Sequence, residues 1–143
     1  MNEPTTHAVA KELFSTLHPV FDYMRKAVFA LEMDLAPQQM HVLKSIRVRA
    51  KTMSELAQCM RISPPTLSAM VSPLVKKGLV QRKRSQEDRR KILISLTPKG
   101  NTLLQKAYNA VLKEIAAQLQ HSSVAERKAI LRGLTLLQKS FSS

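Results

Sequence analysis

Residues 82–91, RKRSQEDRRK, place six cations in ten positions and set Glu87 and Asp88 among them. Guanidinium and ammonium groups at this density are suited to one kind of chemistry, the binding of phosphate oxygens. Arginine offers forked hydrogen bonds there and lysine a point charge. The surrounding charge agrees. From Lys44 to Lys91 there are thirteen Lys/Arg against three Asp/Glu, and the 143-residue chain carries a formal net charge of +13. An anionic partner, nucleic acid or a membrane surface, is therefore the first to consider. Other chemistries lack their residues. His7, His18, His41 and His121 are scattered, and the single Cys59 builds neither a structural zinc site nor an internal disulfide. There is no Gly-rich phosphate loop and no nucleophile motif, so neither catalysis, nor a metal, nor a cofactor is expected.

These cations need elements to position them. A hydrophobic content of 44% with three glycines is that of one folded domain. Helical spacing of Leu13, Leu17, Val20, Phe21, Met24, Val28 and Leu31 predicts a first helix from about Thr6, kinked or broken at Pro19. Pro37 opens a second helix with Met40, Leu43 and Ile46 on its buried face. Thr52-Met-Ser-Glu55 has capping-box spacing and predicts a third helix that buries Met53, Leu56, Ala57 and Met60. Ser63 caps a fourth, with Pro64 where a missing N–H is harmless and Gly78 at the end. Its core face is Leu67, Met70, Val71, Leu74 and Val75, while Pro73 predicts a bend or early close near Ser72. A hairpin follows: LVQRK, the charged tip, then KILISL with Ile92, Ile94 and Leu96 on one face. Thr97-Pro98 caps a long fifth helix carrying Leu104, Ala107, Val111, Leu112, Ile115 and Leu119. Ser123-Val-Ala-Glu126 starts a sixth through Ile130, Leu134, Leu137 and Phe141.

A helix-turn-helix followed by a two-stranded hairpin is a winged helix, so the expected fold is mostly α with a small β-hairpin wing. Three pieces, SELAQCMRIS, TLSAMVSPLVKKGLVQRK and EDRRKILISLTPKG, resemble the MarR family of bacterial transcription regulators. The resemblance runs from about Pro37 to Leu104. It implies a winged helix-turn-helix DNA-binding region, residues 36–97, flanked by dimerisation helices at residues 1–35 and 98–143. It also implies a homodimer on a pseudo-palindromic operator in double-stranded DNA, more readily a repressor than an activator. By the same resemblance Arg90 enters a minor groove, with Asp88 holding its guanidinium in a fixed pose. Arg82, Lys83, Arg84, Arg89 and Lys91 are then phosphate contacts that position without reading sequence.

The recognition helix so placed presents Ser63, Pro64, Pro65, Thr66, Ser68, Ala69 and Ser72, with no cation before Lys76. It has no bidentate base reader, which shifts the expected specificity to the wing and to DNA shape. Arg61 stands where the family commonly has glycine, and either adopts the left-handed conformation or reaches a phosphate. Many family members sense a small effector, aromatic or otherwise hydrophobic, in a crevice beside the dimer helices. Helix spacing puts Tyr23, Arg25, Met40, His41 and Tyr108 nearest such a crevice, though each also reads as core or surface. Family members that sense peroxide do so through a cysteine near the start of the first helix. This chain has none there, and Cys59, beside Met60, reads as a packing residue. No apolar run approaches the ~20 residues of a membrane span, so a soluble, cytoplasmic protein without a membrane partner is expected. The alternative is a winged module that binds a protein partner or RNA and no operator.

Overall fold

Thr52 Oγ1 accepts from the Glu55 N–H at 3.1 Å, and the Glu55 carboxylate accepts from the Thr52 N–H at 2.8 Å. Ser123 and Glu126 repeat the exchange at 3.2 and 2.7 Å. Both capping boxes thus start helices in the structure, a computed structural model that describes residues 3–142. Among these residues the order is α1 (Thr6–Phe29), α2 (Pro37–Ser45), β1 (Lys51–Thr52), α3 (Met53–Met60), α4 (Pro64–Lys76), β2 (Val80–Arg84), β3 (Ile92–Leu96), α5 (Pro98–Leu119) and α6 (Val124–Phe141). The three strands form one antiparallel sheet in the order β1-β3-β2. β1 was not foreseen. Two residues carry no alternating pattern, and the strand exists only because Lys51 and Thr52 pair with Ile94 and Leu93.

Two compact units result. The first comprises residues Leu31–Asn109, the second the segments up to Ala30 and from Ala110 onward. The core of the first is Val42, Leu43, Ile46, Leu56, Leu67, Val71, Leu74 and Ile94, each at most 2% exposed. Each such side chain contributes roughly 1.5–3 kcal/mol relative to exposure, so this cluster is what fixes the second, third and fourth helices against the sheet. Met53, Met60, Met70 and Val75 are only half-buried, at the margin of their predicted faces. In the hairpin Ile94 is fully buried and Leu96 half-buried, but Ile92, opposite the exposed Arg84, is itself exposed.

The segment Leu96-Thr97-Pro98-Lys99-Gly100 ties the base of the hairpin to α5. The Thr97 N–H donates to the Leu79 carbonyl at 3.1 Å and its hydroxyl to the Gly78 carbonyl at 2.5 Å. The same hydroxyl accepts from the Gly100 N–H at 3.0 Å and so caps α5. Gly78 has φ +70°, which suits glycine, and it closes α4 as expected. Gly100 is buried for a different reason: a side chain there would overlap the Leu79 carbonyl oxygen.

Of the outcomes expected at the two internal prolines, the break and the early close are excluded: α1 continues through Pro19, and α4 continues through Pro73 to Lys76. Pro73 removes one N–H, leaving the Ala69 carbonyl without its helical partner, but Val71 and Leu74 on either side are anchored in the core. In the second unit α1 and α6 bury no residue at all. Phe14 is 80% exposed, Leu131 65% and Phe141 76%. No helix among the described residues is long and apolar enough to cross a membrane.

Candidate nucleic-acid interface

α3 and α4 are joined by Arg61, Ile62 and Ser63. Arg61 adopts φ 55°, ψ 43°, the left-handed conformation, and its N–H donates to the Gln58 carbonyl at 3.2 Å. An arginine therefore makes the turn that glycine makes without strain. Ser63 Oγ accepts from the Thr66 N–H at 3.3 Å and lies 2.7 Å from the Thr66 hydroxyl, which fixes the first turn of α4. Pro64 is the first helical residue, as expected.

With Leu67, Val71 and Leu74 turned inward, helical periodicity turns Pro65, Ser68, Ala69, Ser72 and Lys76 outward. Pro65, Ser68, Ala69 and Lys76 are exposed and Ser72 half-buried; Ser63, Pro64 and Thr66 are exposed at the N-terminal end. All seven expected recognition-helix residues are thus on or beside one accessible surface. It offers hydroxyls and apolar groups and, up to Lys76, no charge.

The hairpin tip is a closed turn held by its own polar groups. The Ser85 N–H donates to the Lys91 carbonyl and the Lys91 N–H to the Asp88 carbonyl, both at 2.9 Å. The Asp88 N–H donates to Ser85 Oγ at 3.3 Å, and Asp88 Oδ1 accepts from the Arg90 N–H at 3.0 Å. This corrects the expected role of Asp88. Its carboxylate holds the Arg90 backbone, and among the described residues it makes no ion pair with the Arg90 guanidinium. A carboxylate within the cationic run therefore serves turn geometry, an Asx-type bond to the chain two residues on. Ser85, three residues before Asp88, was missed; the Ser-x-x-Asp spacing was its only signal. Arg89, Arg90 and Lys91 are exposed around this frame.

The strand register sorts the remaining cations. Arg82 stands opposite Ile94 and Arg84 opposite Ile92, while Lys83 stands opposite Leu93. Residues directly opposite share a face, so Arg82 leaves the sheet on the side of the buried Ile94 and Val80, and Lys83 on the other. Arg82 Nη2 reaches across to Ser72 Oγ of α4 at 3.3 Å. The wing's cations are not one interchangeable set.

The expected effector residues divide between the two units. Tyr23 and Arg25 lie on α1, where Arg25 pairs with Asp22; Asp22 also stands 3.7 Å from His18 Nε2. Met40, His41 and Tyr108 belong to the other unit. Met40 is a core residue, 7% exposed, on the inward face of α2 as its spacing predicts; His41, beside it on α2, is exposed. Tyr108 is half-exposed with the Arg47 guanidinium 5.6 Å from its ring centre. The hollow between residues 46–50 and Ser95–Pro98 takes in none of these five. Cys59, expected to pack, is exposed, because Leu56 and Ala57 occupy the inward face of a helix of only eight residues.

Helix-turn-helix, three-stranded sheet and basic hairpin define a winged-helix protein. The sequence profile of the MarR family matches residues 35–92. The multiple antibiotic resistance protein MarR of Escherichia coli is 30% identical over 103 residues, 71% of this chain and 72% of that protein. The uncharacterized HTH-type transcriptional regulator YfiV of Bacillus subtilis is 26% identical over 76% of this chain and 69% of its own length. Among solved structures, a transcriptional regulator from Thermotoga maritima superimposes with a TM-score of 0.82 at 21% identity, covering 96% of this chain and 99% of the other. A mutant of Staphylococcus aureus MepR, bound to an oligodeoxyribonucleotide, superimposes at 0.67 and 20% identity over 95% and 98%. The chain belongs to the MarR family, whose members are transcriptional regulators and not enzymes.

Proposed function

We propose that the chain is a sequence-specific DNA-binding transcriptional regulator that acts as a homodimer on a pseudo-palindromic operator, as a repressor. The observation that carries this is the pairing, within one compact unit, of an outward α4 surface with a hydrogen-bonded turn that presents Arg89, Arg90 and Lys91. Exposed cations on a structured tip lie along phosphates and, in a narrow minor groove, meet its strongest negative potential. The solved MepR complex with an oligodeoxyribonucleotide supports the same partner. Dimerisation accounts for the apolar faces of α1 and α6, where Phe14, Leu131 and Phe141 are largely exposed. A small aromatic or other hydrophobic effector modulates binding in this reading, and Tyr108 beneath Arg47 is the candidate that offers both an aromatic face and a cation.

Because α4 has no bidentate reader of its own, most specificity rests with the wing and with DNA shape. Selection from randomised duplexes tests the proposal. Two inverted half-sites about one helical turn apart are expected. Binding to every duplex alike, or to none, would overturn it, the second result favouring a protein or RNA partner. Several invariant G·C pairs in each half-site would overturn the part assigned to α4.

A further inference from the structure

We infer that Arg82, positioned by Ser72, is the base-reading cation of the recognition surface, a guanidinium supplied to α4 from the wing. The inference rests on the DNA-binding reading above and adds to it a specificity-determining pair.

Three observations converge. First, the outward stripe of α4 is uncharged from Pro65 to Ser72, and hydroxyls alone discriminate bases weakly. Second, the register sets Arg82 opposite Ile94, so its side chain runs over the core side of the sheet toward α4, away from the outer face that Lys83 occupies. Third, its guanidinium is held. The Ser72 hydroxyl donates to the Ser68 carbonyl at 2.9 Å, which orients its lone pairs outward, and it accepts from Arg82 Nη2 at 3.3 Å. One of five N–H donors is spent on this bond, and no carboxylate pairs with the group among the described residues. The other donors stay free in a plane that a guanine O6/N7 edge matches. Anchoring one nitrogen on a neighbouring helix also removes part of the rotamer freedom that a lone arginine loses on binding. A phosphate contact needs no such anchor.

The experiment measures affinities for the selected operator and for every single base-pair change in one half-site, at several salt concentrations. Variants are Arg82→Ala, Arg82→Lys, Ser72→Ala and, as a control on the outer face, Lys83→Ala; thermal melts confirm that each is folded. The wild type is expected to prefer guanine at one position per half-site by roughly tenfold or more. Arg82→Ala and Arg82→Lys should both erase that preference, although lysine keeps the charge. Ser72→Ala should weaken it with the salt slope unchanged. Lys83→Ala should weaken all duplexes equally and lower the slope by about one. If Arg82→Ala keeps every base preference and only lowers the slope, the inference fails and Arg82 is a phosphate contact. If Ser72→Ala leaves the guanine preference intact, the positioning role fails. A wild type that binds no duplex overturns the parent reading, and this one with it.

Discussion

Replacing Gly100 by alanine should destabilise the winged unit by about 1–3 kcal/mol. Two effects oppose each other. Alanine is the better helix former by about 1 kcal/mol, and Gly100 lies in the first turn of α5. Against this, the added methyl would overlap the Leu79 carbonyl oxygen, sit 3.0 Å from the carbonyl carbon and 3.1 Å from Leu96 Cδ2. The obstacle is backbone, so relief means moving a strand end or a helix start, an overpacking cost of about 1–3 kcal/mol or more. The displaced carbonyl also accepts the Thr97 N–H at 3.1 Å, a bond worth about 0.5–1.5 kcal/mol. The overlap wins. Urea unfolding at one fixed protein concentration measures it, since a dimer's midpoint depends on concentration. Gly78→Ala is the reference: its methyl meets only Lys99 Cδ at 3.9 Å, so its cost of about 1–2 kcal/mol is the strain at φ +70° alone. A Gly100→Ala protein as stable as the wild type, or more so, would refute the packing argument at the base of the wing.

Asp88→Asn keeps an oxygen for the Arg90 N–H and should bind duplex at least as well as the wild type, whereas Asp88→Ala should lose affinity; equal damage from both would restore the carboxylate–guanidinium clamp. Arg61→Gly relieves a left-handed arginine and should raise stability by about 1 kcal/mol in the same urea assay; lower stability would mean the Arg61 side chain holds the turn. Two carboxyls sit below their ordinary value of 4.5, Glu55 chiefly through the Thr52 N–H with Arg49 adding, and Glu126 chiefly through the Ser123 N–H. A depressed carboxyl contributes stability that is present above its unfolded value and lost as pH falls through the folded one. The stability deficits of Glu55→Gln and Glu126→Gln relative to wild type should therefore shrink once the pH drops below 4.5, and deficits of constant size down to acid unfolding would contradict the assignment.

What was legible in the sequence was local. A capping box is complete within four residues, so Thr52–Glu55 and Ser123–Glu126 announce their helices regardless of the fold. The inward stripe Leu67, Val71, Leu74 follows from helix period alone. What was not legible depended on partners distant in sequence. β1 needs β3; Pro73 stays helical because of the core beneath it; Asp88 turns to its own chain because the turn closes through Ser85 and Lys91. The exposure of Cys59 was decided by which neighbours filled each face of a short helix, and spacing does not report that. At the candidate site the residue types were readable, but the division of labour among the cations was not. Arg82 and Lys83 are adjacent in sequence, yet only the strand register separates their faces.

In the proposed dimer the Arg89–Lys91 tip and the α4 surface of each protomer meet a duplex. The most direct measurement is operator affinity between 50 and 200 mM salt. Neutralising about 6–10 phosphates predicts a fall of roughly 10³–10⁵, with a preference over random duplex persisting across the titration. Affinity that is flat with salt, or a preference that vanishes along with the charge contribution, would contradict the account.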